Sequence, residues 1–186
     1  SFVWFLSIST RFIIFIFRIK KSAVPPVSED ELKSLLEFGT KHGTFEKEES
    51  EMIKKIFNFN DKRVTEIMVP RTEIEWIDSA ISNQEIFQFI SSHNYSKYVV
   101  CENDIDNFIG ILDSKEFLIK YNVNTSFDLR SILNESLVVP DSIYSIELFE
   151  KFRTHKTNIA LVVDEYGGTE GLITLHDLIE NIVGEI

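Results

Sequence analysis

Gly171-Leu-Ile-Thr174-Leu-His-Asp177 sets a hydroxyl and a carboxylate three positions apart, where a strand-like run gives way to a helix-like one. A helix N-terminus presents unpaired amides and the positive end of the helix dipole, a natural seat for a phosphate. Thr174 would donate to a phosphate oxygen there, and ionised Asp177 would accept from the two hydroxyls of a ribose. Thr-x-x-Asp is also close to a capping box, which needs no ligand. Spacing alone favours the cap.

Other groupings carry less chemistry. His176 and Glu180 stand at i, i+4, a spacing a metal could use but one that a solvated helical pair also explains. Asp164, Glu165 and Glu170 flank Gly167-Gly168. A solvated hairpin is the plainer reading of these acids, with an Mg²⁺-linked dimer contact as the alternative. The single cysteine, Cys101, sits in an apolar strand-like run and reads as inert core, and one cysteine can form neither an intrachain disulfide nor a cysteine zinc site. No Ser-His-Asp order or activated Cys-His pair is evident, so no enzyme is expected.

These residues belong to a chain of 186, enough for one large domain or two small ones. Hydrophobic residues make up 44% and charged residues 26%, which argues against wholesale disorder. Lys and Arg number 19 against 30 Asp and Glu, a net −11 that argues against a nucleic-acid partner, because phosphate backbones need a basic face. The charge is unevenly spread. Residues 1–24 hold Arg11, Arg18, Lys20 and Lys21 and no acid, leaving 15 basic against 30 acidic residues, −15, for the other 162.

The same opening is densely apolar, with Phe2, Val3, Trp4, Phe5, Leu6 and Ile8 followed by an unbroken run from Phe12 to Phe17. As a helix, residues 1–19 would span about 28 Å, just short of a hydrocarbon core. Arg11 interrupts the middle, and Ser7, Arg11, Arg18 and Lys21 fall on one stripe. That pattern suits a helix lying in a membrane interface, with Arg18 to Lys21 marking the cytoplasmic side. A buried apolar helix is the alternative. Because it lacks an initiator Met, the chain is expected to be a piece of a longer one.

Pro25-Pro26 cannot continue a helix. Ser28-Glu-Asp-Glu31 then reads as a capping box, Leu32, Leu35 and Leu36 as an apolar stripe, and Gly43 as a C-terminal stop. A second amphipathic helix is expected from Phe45, with Met52, Ile53, Ile56 and Phe57 at core spacing. After Asn60, strand-like and helix-like runs alternate, and the pattern occurs twice. The first copy runs through Trp76-Ile77, a helix over Ser82–Ser91, strand Tyr98–Cys101, a polar turn from Asn103 to Asn107, strand Phe108–Leu112 and a helix opened by Asp113. The second runs through Leu137–Val139, a helix over Ile146–Phe152, strand Ile159–Val163, the turn Tyr166-Gly-Gly168, strand Gly171–Thr174 and a helix from Leu175. Gly110 and Gly171 stand 61 positions apart, as do Glu116 and Asp177, and Ile67 and Ile132 stand 65 apart. A tandem α+β repeat of βαββα units follows.

The stretch Ile159-ALVVDEYGGTEGLITLHDLIENIVGE-Ile186 resembles the second cystathionine-β-synthase (CBS) repeat of the CorC/HlyC/CNNM-type, hemolysin-like magnesium transporter family. Val64-TEIMVPRT-Glu73 and Tyr95-SKYVV-Cys101 resemble the first. The resemblance covers about residues 28–186 and implies a pseudo-twofold CBS pair: residues 61–125 as the first repeat, 126–186 as the second, 25–60 as linker and helical connector, and 1–24 as the membrane-proximal tail of a transmembrane domain. It also implies a cytoplasmic module at the cell membrane that forms a homodimer and binds ATP or AMP, with Mg²⁺ accompanying the nucleotide. That module would control Mg²⁺ export, with Co²⁺ as a second possible cargo. Carried over by position, the nucleotide site comprises Thr174, Asp177 and Ile173 from the second repeat, with Val69, Pro70, Tyr95, Ser96 and Lys97 from the first. Lys97 stands where the family usually has Arg, a point charge in place of a planar fork, and Val99 where it usually has Pro. Tyr95 has an ordinary core aromatic as its alternative reading. In the first copy Asp113 replaces the threonine and would repel phosphate, and Glu116 is longer than the Asp that fits ribose, so one nucleotide site per chain is expected. The alternative function is a dimerisation scaffold of the same transporter whose site stays empty.

Overall fold

The structure, a computed structural model, describes residues 27–184. The apolar, basic segment 1–24, Pro25-Pro26 and the last two residues lie outside the described residues.

The chain divides into two units between Glu51 and Met52. In the first, helix α1 (Glu29–Lys41) carries the expected capping box. Ser28 Oγ accepts from the Glu31 amide at 3.2 Å, and Glu31 Oε2 accepts from the Ser28 amide at 3.1 Å. Gly43, at φ +74°, turns the chain out of the helix. The ring of Phe45 lies over Gly39, where an added Cβ would come within 2.7 Å of it.

Helix α2 (Lys47–Asp61) begins in the first unit and ends in the second, two residues later than the expected start at Phe45. The apolar faces of both helices are less covered than their periodicity implies: Leu36 is buried, while Leu32, Leu35, Met52 and Ile56 are exposed. Periodicity identifies the apolar face of a helix and is silent on what covers it. Phe59, outside the expected stripe, is the α2 side chain that enters a core, at 3% exposure.

After the end of α2 the second unit runs through β1 (Val69–Pro70) and then carries the βαββα pattern twice. The first copy is β2 (Trp76–Asp78), α3 (Asn83–Ser92), β3 (Lys97–Glu102), β4 (Asp104–Asp113) and α4 (Ser114–Val123). After β5 (Leu133–Asn134) come β6 (Leu137–Pro140), α5 (Ser145–His155), β7 (Ile159–Val163), β8 (Thr169–Thr174) and α6 (Leu175–Val183). The polar turn expected over 103–107 is tighter. Asn103 takes a left-handed φ of 63° and closes it, which lets β4 start at Asp104.

The strand orders are β2-β3-β4-β5 and β1-β8-β7-β6. In each sheet an antiparallel hairpin (β3-β4 or β7-β8) has a parallel strand on one side and a short antiparallel edge strand on the other. Each edge strand comes from the other repeat: β1 pairs with β8, and β5 with β4. The glycines 61 positions apart explain how the exchange fits. A Cβ on Gly171 would lie 2.7 Å from the Val69 carbonyl in β1, and one on Gly110 would lie 3.1 Å from the Asn134 carbonyl in β5.

Three apolar groups fill this unit. One lies in the second repeat around Leu148, Phe152, Ile173 and Leu178, and one in the first around Ile77, Ile86, Tyr98 and Phe117. The third joins Ile74, Val99, Cys101, Ile105 and Ile111 to Ile159, and so draws on both repeats. Burial pushes the Cys101 thiol up to about 12, in keeping with an inert core residue.

Candidate functional site

Strand β8 ends at Thr174, whose extended backbone feeds straight into α6. The Thr174 amide and hydroxyl donate to Asp177 Oδ2 at 2.7 and 2.8 Å, and the Asp177 amide donates back to Thr174 Oγ1 at 3.3 Å. The capping box favoured by spacing is therefore formed. Both donors use Oδ2, so a ligand hydroxyl would be met by Oδ1. At the corresponding turn of the first repeat, Asp113 Oδ1 accepts from the amides of Lys115 and Glu116 at 3.0 and 3.2 Å, a simple N-cap.

The α6 N-terminus opens on a cleft of about 460 Å³ between the two repeats. Of the eight residues expected there, six line it: Val69, Tyr95, Ser96, Lys97, Thr174 and Asp177. Two do not. Ile173 is fully buried in the second-repeat core, because strand side chains alternate and its neighbour Leu172 is the one that faces the cleft. Pro70, next to Val69 in β1, pairs with Gly171 and stays outside the lining for the same reason.

Val69, Ile74, Val99, Ile159 and Leu172 make the apolar part of the cleft, able to take a flat heterocycle. Tyr95 is 58% exposed at its rim, so its ring is not a core aromatic. The backbone beneath that ring is held, since the Tyr95 amide donates to the Tyr98 hydroxyl at 3.3 Å and that hydroxyl donates to the His93 carbonyl at 2.7 Å. Burial raises the Tyr98 phenol above its ordinary value.

Lys97 supplies the ammonium, and its Nζ donates to Asn158 Oδ1. Glu73, Glu75 and Asp177 line the same space, so carboxylates outnumber the ammonium, and a polyphosphate would need an accompanying cation. Sequence reasoning missed Glu73, Glu75, Asn94 and Asn158, and weighed His176 as solvated surface or a metal ligand but not as part of this lining. Asn158 had a signal: it precedes β7 as Ser96 precedes β3, and both carbonyls accept from the first amide of the helix that follows their hairpin, Leu175 and Ser114.

The other end of β8 is tied to the first repeat. Arg71 Nη1 donates to Asp106 and, at 3.2 Å, to the Thr169 carbonyl, while Nη2 reaches Asp104 at 3.4 Å. Buried Thr169 donates its amide to Asp106 at 2.8 Å and its hydroxyl to the Ile105 carbonyl at 3.1 Å. The bond from Arg71 holds the Asp106 carboxyl below its ordinary value. Strand β8 thus runs from this anchored end to the cleft.

Two groupings read as solvated surface are so placed. Asp164 Oδ1 accepts from the amides of Tyr166 and Gly168 at 2.8 and 2.7 Å, building the hairpin turn, and Tyr166 at its tip is almost wholly exposed. His176 and Glu180 lie 3.8 Å apart along α6. Among the described residues no cluster of His, Cys, Asp or Glu could hold a metal ion, and no helix is long and apolar enough to cross a membrane.

Comparison with known proteins gives this geometry a family. The model of the CBS domain matches residues 129–184. The solved CBS domain of a bacterial CNNM/CorC family Mg²⁺ transporter is 34% identical, with a TM-score of 0.80 over 86% of this chain and 98% of that one. The ATP complex of such a domain is 35% identical, with a TM-score of 0.70 over 74% of this chain and 99% of that one. The polyamine export protein of Escherichia coli strain K12 is 31% identical over 99% of this chain and 42% of its own length. The chain spans less than half the length of these curated relatives. A fold shared across nearly the whole of that solved domain at 34% identity, with a CBS-family match in the second repeat, makes this chain a member of the CBS-domain proteins of the CNNM/CorC family.

Proposed function

We propose that the chain is a regulatory CBS pair whose cleft binds an adenine nucleotide, ATP or AMP. One observation carries this reading: Tyr95, Ser96 and Lys97 of the first repeat share a single cleft with Thr174 and Asp177 at the α6 N-terminus of the second. The base would lie on the apolar wall, a ribose hydroxyl against Asp177 Oδ1, and the phosphates at Thr174 and Lys97. The acid excess in the lining supports Mg²⁺ bound with the phosphates rather than bare nucleotide. The ATP-bound relative supports the same ligand class.

In the whole protein, occupancy of the cleft would bias an attached transmembrane domain, provided the nucleotide binds two states unequally. The pair would sit on the cytoplasmic side of the cell membrane as a homodimer, with residues 1–24 at the lipid bilayer. Mg²⁺ is the proposed exported cargo, because a solved CBS domain like this one belongs to an Mg²⁺ transporter. The E. coli relative's name makes a polyamine the second reading of the cargo.

Thermal unfolding of the chain with ATP, ADP and AMP, each with and without Mg²⁺, tests the proposal. A ligand at 100 times its Kd stabilises the folded state by about 2.7 kcal/mol. The expected result is a clear rise in Tm that disappears in Asp177→Ala. No rise with any nucleotide would leave the nucleotide-free dimerisation scaffold as the better account.

A further inference from the structure

We infer that Asn158, to which no role has been given, is the residue that places the Lys97 ammonium for phosphate. The inference rests on the nucleotide reading of the cleft and adds a positioning residue to it. Lysine is a flexible point charge with three donors, and its location within a cleft depends on what accepts from it. Here the acceptor is the Asn158 carbonyl oxygen, on the opposite repeat. Asn158 is itself fixed to the phosphate end, because its backbone carbonyl accepts from the Leu175 amide, the first of α6, at 2.9 Å. One residue therefore ties the cation of the first repeat to the helix N-terminus of the second.

The internal symmetry supports a dedicated role. Ile159 occupies in β7 the place Lys97 has in β3, since Ile159 pairs with Thr174 as Lys97 pairs with Asp113, and Ser96 occupies the place of Asn158. The pseudo-twofold copy of the Lys97–Asn158 pair is thus Ile159 and Ser96, which hold no cation. Both pairs line the cleft that Thr174 and Asp177 enter, and of the two it is Lys97 and Asn158 that carry a cation and its acceptor. A neutral amide also suits the task, because it orients the ammonium without neutralising it as a carboxylate would.

Isothermal titration of the full chain with ATP plus Mg²⁺, AMP and adenosine tests this, using Asn158→Ala, Lys97→Met and the double variant. Asn158 is exposed, so its truncation leaves the core intact. Asn158→Ala is expected to weaken ATP and AMP by about three- to ten-fold, the worth of one solvent-accessible charge-assisted contact. Adenosine affinity is expected to be unchanged, and the double variant to be no weaker than Lys97→Met alone. Equal weakening of all three ligands would mark Asn158 as merely structural and overturn the inference. Unchanged ATP and AMP binding, or additive losses in the double variant, would also overturn it while leaving the nucleotide reading intact. A wild-type chain that binds none of the three overturns both.

Discussion

Replacing Gly171 with alanine probes the strand exchange that builds the cleft. An added Cβ would collide with Met68 Sδ and lie 2.7 Å from the Val69 carbonyl oxygen. The thioether can swing aside, but the carbonyl is backbone, so β1 must move away from β8. The counterpart Gly110 is less crowded, with Leu133 Cβ at 3.0 Å and the Asn134 carbonyl at 3.1 Å. Alanine for glycine in a compatible strand stabilises by about 0.4–1 kcal/mol through the unfolded chain. Overpacking costs about 1–3 kcal/mol. At Gly171 the clash dominates, for a net loss of about 2 kcal/mol, whereas at Gly110 the two effects come within about 1 kcal/mol of each other. In a chain of this size each kcal/mol moves Tm by about 2–4 °C. Thermal unfolding followed by circular dichroism should therefore place Gly171→Ala about 4–8 °C below the wild type and Gly110→Ala within about 4 °C of it. Because β1 also carries Val69 into the cleft, Gly171→Ala should bind nucleotide more weakly as well. A Gly171→Ala chain as stable as the wild type, or less affected than Gly110→Ala, would refute the account of the paired glycines.

Asp177→Asn should separate the cap from the ligand: its amide oxygen can still accept from Thr174, so the ligand-free Tm stays within about 2 °C, while the rise produced by ATP shrinks. A full ATP-induced rise in that variant would remove Asp177 from the ribose role. Asp106 is held below its ordinary value by Arg71, so its contribution to stability is present above the unfolded-state value and lost as pH falls through the lower folded-state value. Asp106→Asn should accordingly flatten the acid limb of a stability-against-pH curve below about pH 4, and an unaltered limb would contradict the pairing. Phe59→Ala should cost about 3–5 kcal/mol in urea unfolding, as a buried aromatic does, whereas exposed Ile56→Ala should cost less than about 1 kcal/mol. Similar losses at both would mean that the α2 face is covered in solution.

The features legible in the sequence are those made by neighbours along the chain. The capping boxes at Ser28 and Thr174 join residues three apart, and both formed as the spacing predicts. Repeat order and element type followed from alternation and from glycines at a fixed separation. Where a strand's two faces had to be distinguished, positional transfer failed: Ile173 faces the core and Leu172 the cleft. Helices α1 and α2 were legible as amphipathic but not as half uncovered, because covering them depends on surfaces distant in sequence.

By itself the sequence determined two βαββα units, a hydroxyl–carboxylate pair at the last helix N-terminus, and an acid in place of that hydroxyl in the first copy, all properties of short windows. Only the tertiary structure decided that each sheet takes its edge strand from the other repeat and that Arg71 fastens Asp106 to Thr169. It alone brought Lys97 to Asn158 across the cleft. These contacts join residues from about 20 to about 100 positions apart, and folding brings them together through burial of the core shared by both repeats, a driving force that acts without direction along the chain.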